Sequence, residues 1–240
     1  MGVVQESLVE MASNQLRDLV LVGQIRPGEK LNEPPLSAQL GISRPPLREA
    51  MRVLEGEGLL RLTPRRGYRV AEFGPRDTEE IYGLRHVLEE YAVTKLLATE
   101  RAVSLAPLDD VLASMRIAAE QADSLAIVRG NVDFHVGVIE ATGDQHLARV
   151  YRILMQQMQI FMGANIRHEA GSVGSLVQGY ERHRSLLEVL RVGTREQILD
   201  ALKTHGARTY LPADQADPAV QGAPGPETDE ATRPSTTAKV

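Results

Sequence analysis

The chain has 240 residues, of which 42% are hydrophobic and 25% charged, and its net charge is −5. This composition supports one large domain or two small ones, and no run of about 18 apolar residues is present to span a membrane. Because Cys is absent, disulfides, thiol nucleophiles and thiolate zinc sites are excluded. The acidic start lacks the basic and apolar regions of a secretory signal, so we expect a cytoplasmic protein.

The first part of the chain, residues 4–73, has the element order of a winged helix-turn-helix. Apolar residues at helical spacing predict a first helix that stops before Gly23 and a short second helix that ends at Gly41. A third helix is expected from Arg44 to about Gly56, with Ser43 as its N-cap. Two apolar runs, 59–63 and 68–71, flank the turn 64–67 and predict a hairpin.

The negative total charge hides a basic segment within this first domain. From Arg44 to Arg69 there are seven Arg and three Glu, and phosphate contacts depend on such a local surface. Arg44 and Arg48 are four residues apart, so both leave one face of the third helix near its N-terminus. A helix N-terminus favours phosphate, and Arg can bridge two acceptors on a guanine edge.

The second part of the chain, residues 76–211, is predicted to be entirely helical. It follows the breaker Phe73-Gly74-Pro75, and a capping box at 77–80 is expected to open a long helix with Ile81, Leu84, Leu88 and Val93 inside. Further helices are expected at about 105–118, 121–128, 130–142, 145–166, 174–192 and 194–210. Met155, Met158, Met162 and Phe161 are expected in the core or a dimer face. The Pro-rich tail, 212–240, is expected to be disordered.

Residues 23–70 resemble the winged-helix domain of GntR-type bacterial transcription regulators. The resemblance is carried, in order, by PGEKLNE, LGISRPPLREA, LEGEGLL and RRGYRV. It implies that Arg44, Pro45 and Arg48 lie on the operator and that Arg66 and Gly67, at the wing tip, reach the minor groove or the backbone. Two positions depart from the pattern, because Pro45 replaces a Thr of many relatives and Pro34 an Arg of some.

Three of the six His residues fall in separate predicted helices. Asn131 and His135 are four residues apart and share one helix face, whereas His183 and His205 lie in the last two helices. Three imidazoles and one side-chain oxygen suit Zn²⁺, Ni²⁺ or Mn²⁺, with Zn²⁺ expected first. Asp133 faces another way, and we expect no ligand role for the remaining three, His86, His146 and His168.

The same region resembles the FCD effector domain of the FadR subfamily of GntR regulators. Phe134-His135, Glu181-Arg182-His183, His205 and the opening IYGLRHVLEEYAVTKLLA carry this resemblance. It implies a metal held by Asn131 and the three His, although many relatives have Asp at the Asn131 position. Arg85 is expected either to bind an effector carboxylate, as Arg does bidentately, or to pair with Glu89 one turn away.

Taken together, these patterns predict a homodimeric, ligand-responsive transcription factor on a two-fold DNA operator. We expect a repressor of a catabolic operon that is released by a small organic acid bound at the metal. One alternative keeps the DNA-binding domain but makes the metal structural, with acyl-CoA or another large effector elsewhere. Another is a helical metallohydrolase, which is disfavoured because no general base accompanies the His residues. We therefore expect no enzyme.

Overall fold

The computed structural model describes residues 7–98, 104–169 and 173–207, and the side chains of 7–98, 104–160 and 176–205. The expectations for residues 4–6, for the tail 212–240, and for the side chains of Phe161, Met162 and His168 lie outside this description. The described chain is mainly helical with one small antiparallel sheet. None of its helices has the length and apolar character needed for a membrane crossing.

The described elements run in chain order as α1 Leu8–Leu21, α2 Glu33–Leu40, α3 Arg44–Gly56, β1 Leu60–Thr63, β2 Gly67–Val70, α4 Pro75–Ala98, α5 Pro107–Glu120, α6 Ser124–Glu140, α7 Gln145–Glu169, α8 Val173–Val192 and α9 Arg195–Ala207.

The winged helix-turn-helix forms as predicted, with one exception at the start of α3. Gly41 ends α2 in the left-handed conformation, with φ 64°, which a residue without Cβ adopts at little cost. Ser43 has the extended backbone of an N-cap but makes no side-chain cap hydrogen bond. An N-cap oxygen accepts from the second or third helical N–H, and those positions are Pro45 and Pro46. The predicted cap is therefore wrong, because its donors are missing.

The wing is the hairpin of β1 and β2. Its register pairs Leu60 with Val70 and Thr63 with Gly67. Gly67 has φ 85°, and Arg65, at the tip, has φ 62°. A non-glycine residue with positive φ carries some strain. The paired strands of the hairpin therefore have to stabilise the backbone conformation of Arg65.

Helix α4 begins two residues earlier than the predicted capping box. It starts at Pro75, where the missing N–H costs nothing. Asp77 lies inside the first turn, and its carboxylate accepts from the N–H of Gly74 at 2.7 Å. The placement of Leu84 in the core is also wrong, because Leu84 is 48% exposed and the buried stripe contains Ile81, Arg85 and Glu89 instead.

Helix α6 replaces the two helices that were predicted at 121–128 and 130–142. The chain turns before it, at Ala122 with φ 55°, and the Asp123 carboxylate caps it by accepting from the N–H of Ala126 at 2.9 Å. Gly130, the first residue of the second predicted helix, lies within α6. A Cβ at this position would come within 2.4 Å of the buried Met115 Cγ of α5. The glycine thus allows α5 and α6 to pack closely.

Buried residues form three clusters. One is the core of the winged helix, and the other two lie on either side of α6, which contributes Val132 to one and Phe134 to the other. The winged helix also packs on the helical part, since Leu21 of α1 joins a helical cluster and Ile160 of α7 joins the winged-helix core. Because α6 contributes to both clusters of the helical part, it lies at the centre of that part.

Substitution of Gly130 tests this close packing. Gly130→Ala should lower the free energy of unfolding by about 1–3 kcal/mol, because the added methyl overpacks the α5–α6 contact. Gly56→Ala on α3 is the matched control, since a Cβ there meets nothing within 4 Å. It should stabilise by about 0.4–1 kcal/mol. Urea unfolding measures both changes, and a Gly130→Ala protein as stable as the control variant would contradict the packing argument.

Candidate DNA-reading face and metal centre

The N-terminal end of α3 presents Arg44, Pro45 and Arg48 to solvent. Arg48 is held in place by α2, because its Nε donates to the Glu33 carboxylate at 2.9 Å while the Arg48 side chain stays 58% exposed. Glu49, the neighbour that could have neutralised Arg48, pairs with Arg52 instead at 2.7 Å. An exposed, oriented guanidinium is the group that reads a guanine edge in a major groove.

The backbone at this helix end contributes less than the sequence predicted. Pro45 and Pro46 carry no N–H, and the N–H of Leu47 is directed to the Ser43 carbonyl at 3.5 Å. The N-terminus of α3 therefore offers phosphate fewer free N–H groups than a helix without Pro in its first turn. Phosphate binding at this end would depend on the N–H of Arg44 and on Arg side chains.

The wing tip places Arg65 and Arg66 in exposed positions, with Gly67 partly buried behind them. The base of the wing is tied to the preceding loop, because Arg69 donates through Nη1 to the Gly28 carbonyl at 2.8 Å. The Arg66 side chain therefore extends from a braced hairpin, as a groove contact requires.

The helical part brings together the four residues predicted as metal ligands. His135 from α6, His183 from α8 and His205 from α9 have ligand atoms that all lie within 4.8 Å of one another. Their ring centroids are 4.3–5.5 Å apart. Asn131, one turn before His135, places its Oδ1 2.7 Å from His183 Nε2. His135, His183 and Asn131 are buried.

The environment of His183 directs one ring nitrogen to the centre of the cluster. Its Nδ1 lies 2.8 Å from the Gly179 carbonyl, to which it donates. Its Nε2 then points to Asn131 and to His205 Nε2, which is 3.2 Å away. A histidine that ligates a metal usually donates its other N–H in this way.

Burial keeps the three rings in the neutral form that a metal requires. It lowers the pKa of His183 to about 4, although the Gly179 carbonyl opposes the shift. Burial and the charge of His183 lower the pKa of His205 to about 2. The pKa of His135 also falls well below its usual range, first through burial and then through the charge of Arg85.

Arg85 makes the pair with Glu89 that the sequence left open, and it also contacts the His cluster. Its Nε donates to Glu89 Oε1 at 2.9 Å, and its Nη2 lies 3.1 Å from His135 Nδ1. Burial alone would lower the pKa of Arg85, but the Glu89 carboxylate raises it. The guanidinium is therefore charged, and it lies at the edge of the His cluster.

Sequence reasoning missed Tyr151 and the part that Glu89 plays beyond its pair with Arg85. Tyr151 of α7 is fully buried and donates to Glu89 Oε1 at 2.6 Å. Burial raises the pKa of Tyr151 well above its usual value, and the Glu89 charge adds to this shift. The spacing of Arg85 and Glu89 indicated their pairing, whereas Tyr151 lies 62 residues from Glu89 and no pattern connected them.

The other His residues and Asp133 lie outside this cluster. His86 is partly buried, and both His146 and Asp133 are exposed. Among the described side chains, Glu89 is the carboxylate near the rings, at 3.7 Å from His135 Nδ1, and Arg85 and Tyr151 already bind it. The described site thus has ligand groups but no free carboxylate to act as a general base.

Two family profiles match the chain, "Bacterial regulatory proteins, gntR family" over residues 8–70 and "FCD domain" over residues 80–208. YdhC of Bacillus subtilis, an uncharacterized HTH-type transcriptional regulator, is 34% identical over 56% of this chain and 60% of its own. A probable D-xylose utilization operon transcriptional repressor of Paenarthrobacter nicotinovorans is 29% identical over 84% of this chain and 88% of its own.

A solved structure supports the same assignment. That of McbR from Escherichia coli superimposes with a TM-score of 0.68 at 26% identity, and the match covers 84% of this chain and 94% of that one. These relatives are transcriptional regulators, not enzymes. The chain belongs to the GntR family of bacterial regulatory proteins, as a DNA-binding transcriptional regulator with a winged helix-turn-helix followed by an FCD domain.

Proposed function

We propose that the protein is a metal-dependent repressor of a catabolic operon, acting in the cytoplasm as a homodimer that a small carboxylate releases from DNA. The observation that carries the proposal is the buried cluster of three neutral imidazoles beside a charged Arg85. The relative named as a D-xylose utilization operon repressor supports repression.

The donor set fits a divalent cation. His135, His183, His205 and Asn131 would hold it through three nitrogens and one oxygen, which suits Zn²⁺ first and also Ni²⁺ or Mn²⁺. The hydrogen bond from His183 Nδ1 to Gly179 supports a ligand role for Nε2. When bound, the cation supplies a Lewis-acid position for an anionic group of the effector.

Arg85 supports a carboxylate as the effector's binding group. Its guanidinium lies within 3.2 Å of both ring nitrogens of His135, so an anion at the metal would also meet its N–H donors. Arg matches a carboxylate with two parallel hydrogen bonds. Glu89 accepts from Arg85 Nε and is itself held by a hydrogen bond from Tyr151, so the Arg85 side chain is fixed in place.

A direct connection to the DNA-binding domain supports regulation by this site. Arg129 of α6, two residues before Asn131, binds both carboxylate oxygens of Asp18 on α1. Helix α1 in turn packs on α3, and Arg17 pairs with Glu57 at the end of α3 at 2.7 Å. A shift of α6 on effector binding would thus bias the placement of the reading helix.

An apolar surface on α4 supports the homodimer. Leu84, Val87 and Tyr91 lie on the face opposite the buried stripe and are 48%, 60% and 51% exposed. Helix α7 packs beside α4 and leaves Val150 and Ile153 exposed in the same way. A second copy would cover these residues and place two reading helices on a two-fold operator.

Arg48→Ala should weaken operator binding by about 1–3 kcal/mol and relax discrimination between sites, because it removes a base-reading guanidinium. The operator sequence would be identified by selecting, from random duplex DNA, the duplexes that the full chain binds. We expect the selected sequences to contain inverted repeats. Titration of that duplex then measures affinity. Arg116→Ala removes the same charge from the exposed surface of α5 and should leave affinity nearly unchanged. Equal affinity of the two variants would remove Arg48 from the reading role.

Val87→Glu should convert the dimer to monomers at micromolar concentration, because it buries a charge in the proposed interface. Sedimentation velocity measures the change. Val192→Glu is the matched control, since Val192 is 85% exposed at the end of α8, and it should sediment as the wild type does. A Val87→Glu protein that stays dimeric would place the dimer interface elsewhere.

His183→Ala should abolish metal binding, which we expect at about one ion per protomer in the wild type by elemental analysis. Zn²⁺ should raise the stability of the wild type by about 2.7 kcal/mol at a hundred times its Kd, and the variant should lose this gain. His146→Ala, an exposed His outside the cluster, should keep both properties. Full metal content in His183→Ala would refute the proposed site.

The same variants separate an effector-anchoring metal from a structural one. Propionate, lactate, malonate and malate are added to the protein–operator complex with and without Zn²⁺. Release by an acid only from the metal-loaded wild type, and not from His183→Ala, supports the proposal. Release that persists without metal would make the metal structural and place the effector site elsewhere.

A further inference from the structure

The charge balance of the proposed metal site identifies the kind of acid that it would take. Every proposed ligand is neutral, because His135, His183 and His205 would bind a metal through neutral imidazoles and Asn131 is an amide. A divalent cation held by these four groups would keep its whole +2 charge. This inference rests on the proposed metal site.

The surrounding side chains do not cancel that charge. Glu89 is the nearest described carboxylate, but its charge offsets that of Arg85, at 2.9 Å, and it accepts a hydrogen bond from Tyr151. Asp133 is exposed, although it is only two residues from His135. An uncompensated charge in a buried site is costly, so the bound ligand has to supply the missing anions.

A further cation lies at the entrance. A pocket of about 540 Å³ between α8 and α9 is lined by His205, Arg182, Glu181, Gln178, Ser185 and Thr204, with apolar residues around them. Arg182 directly precedes the proposed ligand His183 and lines this pocket together with His205. Glu181, the acidic residue of this pocket, pairs with Arg184 at 2.7 Å.

We propose that the effector is a dianionic acid, such as a dicarboxylate, which the site prefers over a monocarboxylate because Asn131 leaves the metal without an anionic protein ligand. The two negative charges of the acid balance the cation, and Arg182 adds attraction along the route past His205. Asn131 is then the residue that determines this preference.

The test compares malonate with propionate, two three-carbon acids that carry two charges and one at pH 7.5. Isothermal titration of the Zn²⁺-loaded full chain gives both Kd values, and elemental analysis confirms the metal content of each sample. The wild type should prefer malonate. Asn131→Asp supplies one anionic ligand and should lower the malonate-to-propionate affinity ratio by about tenfold or more. Because malonate chelates in both proteins, the change in the ratio isolates the charge effect.

Two further variants complete the experiment. Gln145→Glu makes the same amide-to-acid change at the exposed start of α7 and should leave the ratio unchanged. Arg182→Gln removes one positive charge at the entrance and should lower the ratio in the same direction as Asn131→Asp, which keeps the test decisive if the Asp variant folds poorly.

The outcomes separate this inference from the function on which it rests. A wild type without stoichiometric metal would overturn both. Stoichiometric metal with a ratio that is the same in the wild type, Asn131→Asp and Arg182→Gln would overturn the dianion preference alone. A ratio that falls in both variants and not in Gln145→Glu would support it.

Discussion

The close packing of α6 against its neighbours is the constraint on which the helical part depends. Residues on opposite sides of this helix, such as Val132 and Phe134, belong to two separate apolar clusters, so α6 packs against protein on both sides. Gly130 makes this possible, because a side chain there would collide with Met115. Polar groups that α6 carries inward must then find partners within the protein, and Asn131 and His135 do so in the His cluster.

Burial has opposite consequences for the two kinds of ionisable group in that cluster. For the imidazoles it disfavours the charged form, which leaves neutral rings whose Nε2 atoms lie 3.2 Å apart in His183 and His205. For Arg85 the Glu89 carboxylate outweighs burial, and the charge is retained. A buried ion pair of this kind is weak evidence for stability. Its position next to neutral ligand groups is what makes it informative about function.

Contacts between the two domains involve α6, which carries Asn131 and His135, and α7, which carries Tyr151. Arg129 and Asn131 are neighbours on α6, so the ion pair with Asp18 is less than one helical turn from a proposed ligand. Gln157 of α7 reaches the Glu57 carbonyl at the end of α3, and the adjacent Gly58 leaves room for it. Through these contacts a shift of α6 would be transmitted to α3. They connect the proposed effector site to the reading helix.

The sequence by itself determined the winged-helix order, the all-helical second part and the set of Asn131, His135, His183 and His205, because helical spacing and ordered motifs are local properties. The predictions from the sequence failed where a residue's environment depends on packing against distant parts of the chain. The sequence predicts two helices on either side of residue 129, whereas one helix runs through Gly130 beside Met115. It also predicts Leu84 in the core, whereas the opposite face of α4 is buried. Tyr151 and Glu33 reach their partners Glu89 and Arg48 across 62 and 15 residues. Such pairings, like the lowered pKa values of the His rings, arise from packing between helices that are distant in sequence, and only the tertiary structure decides them.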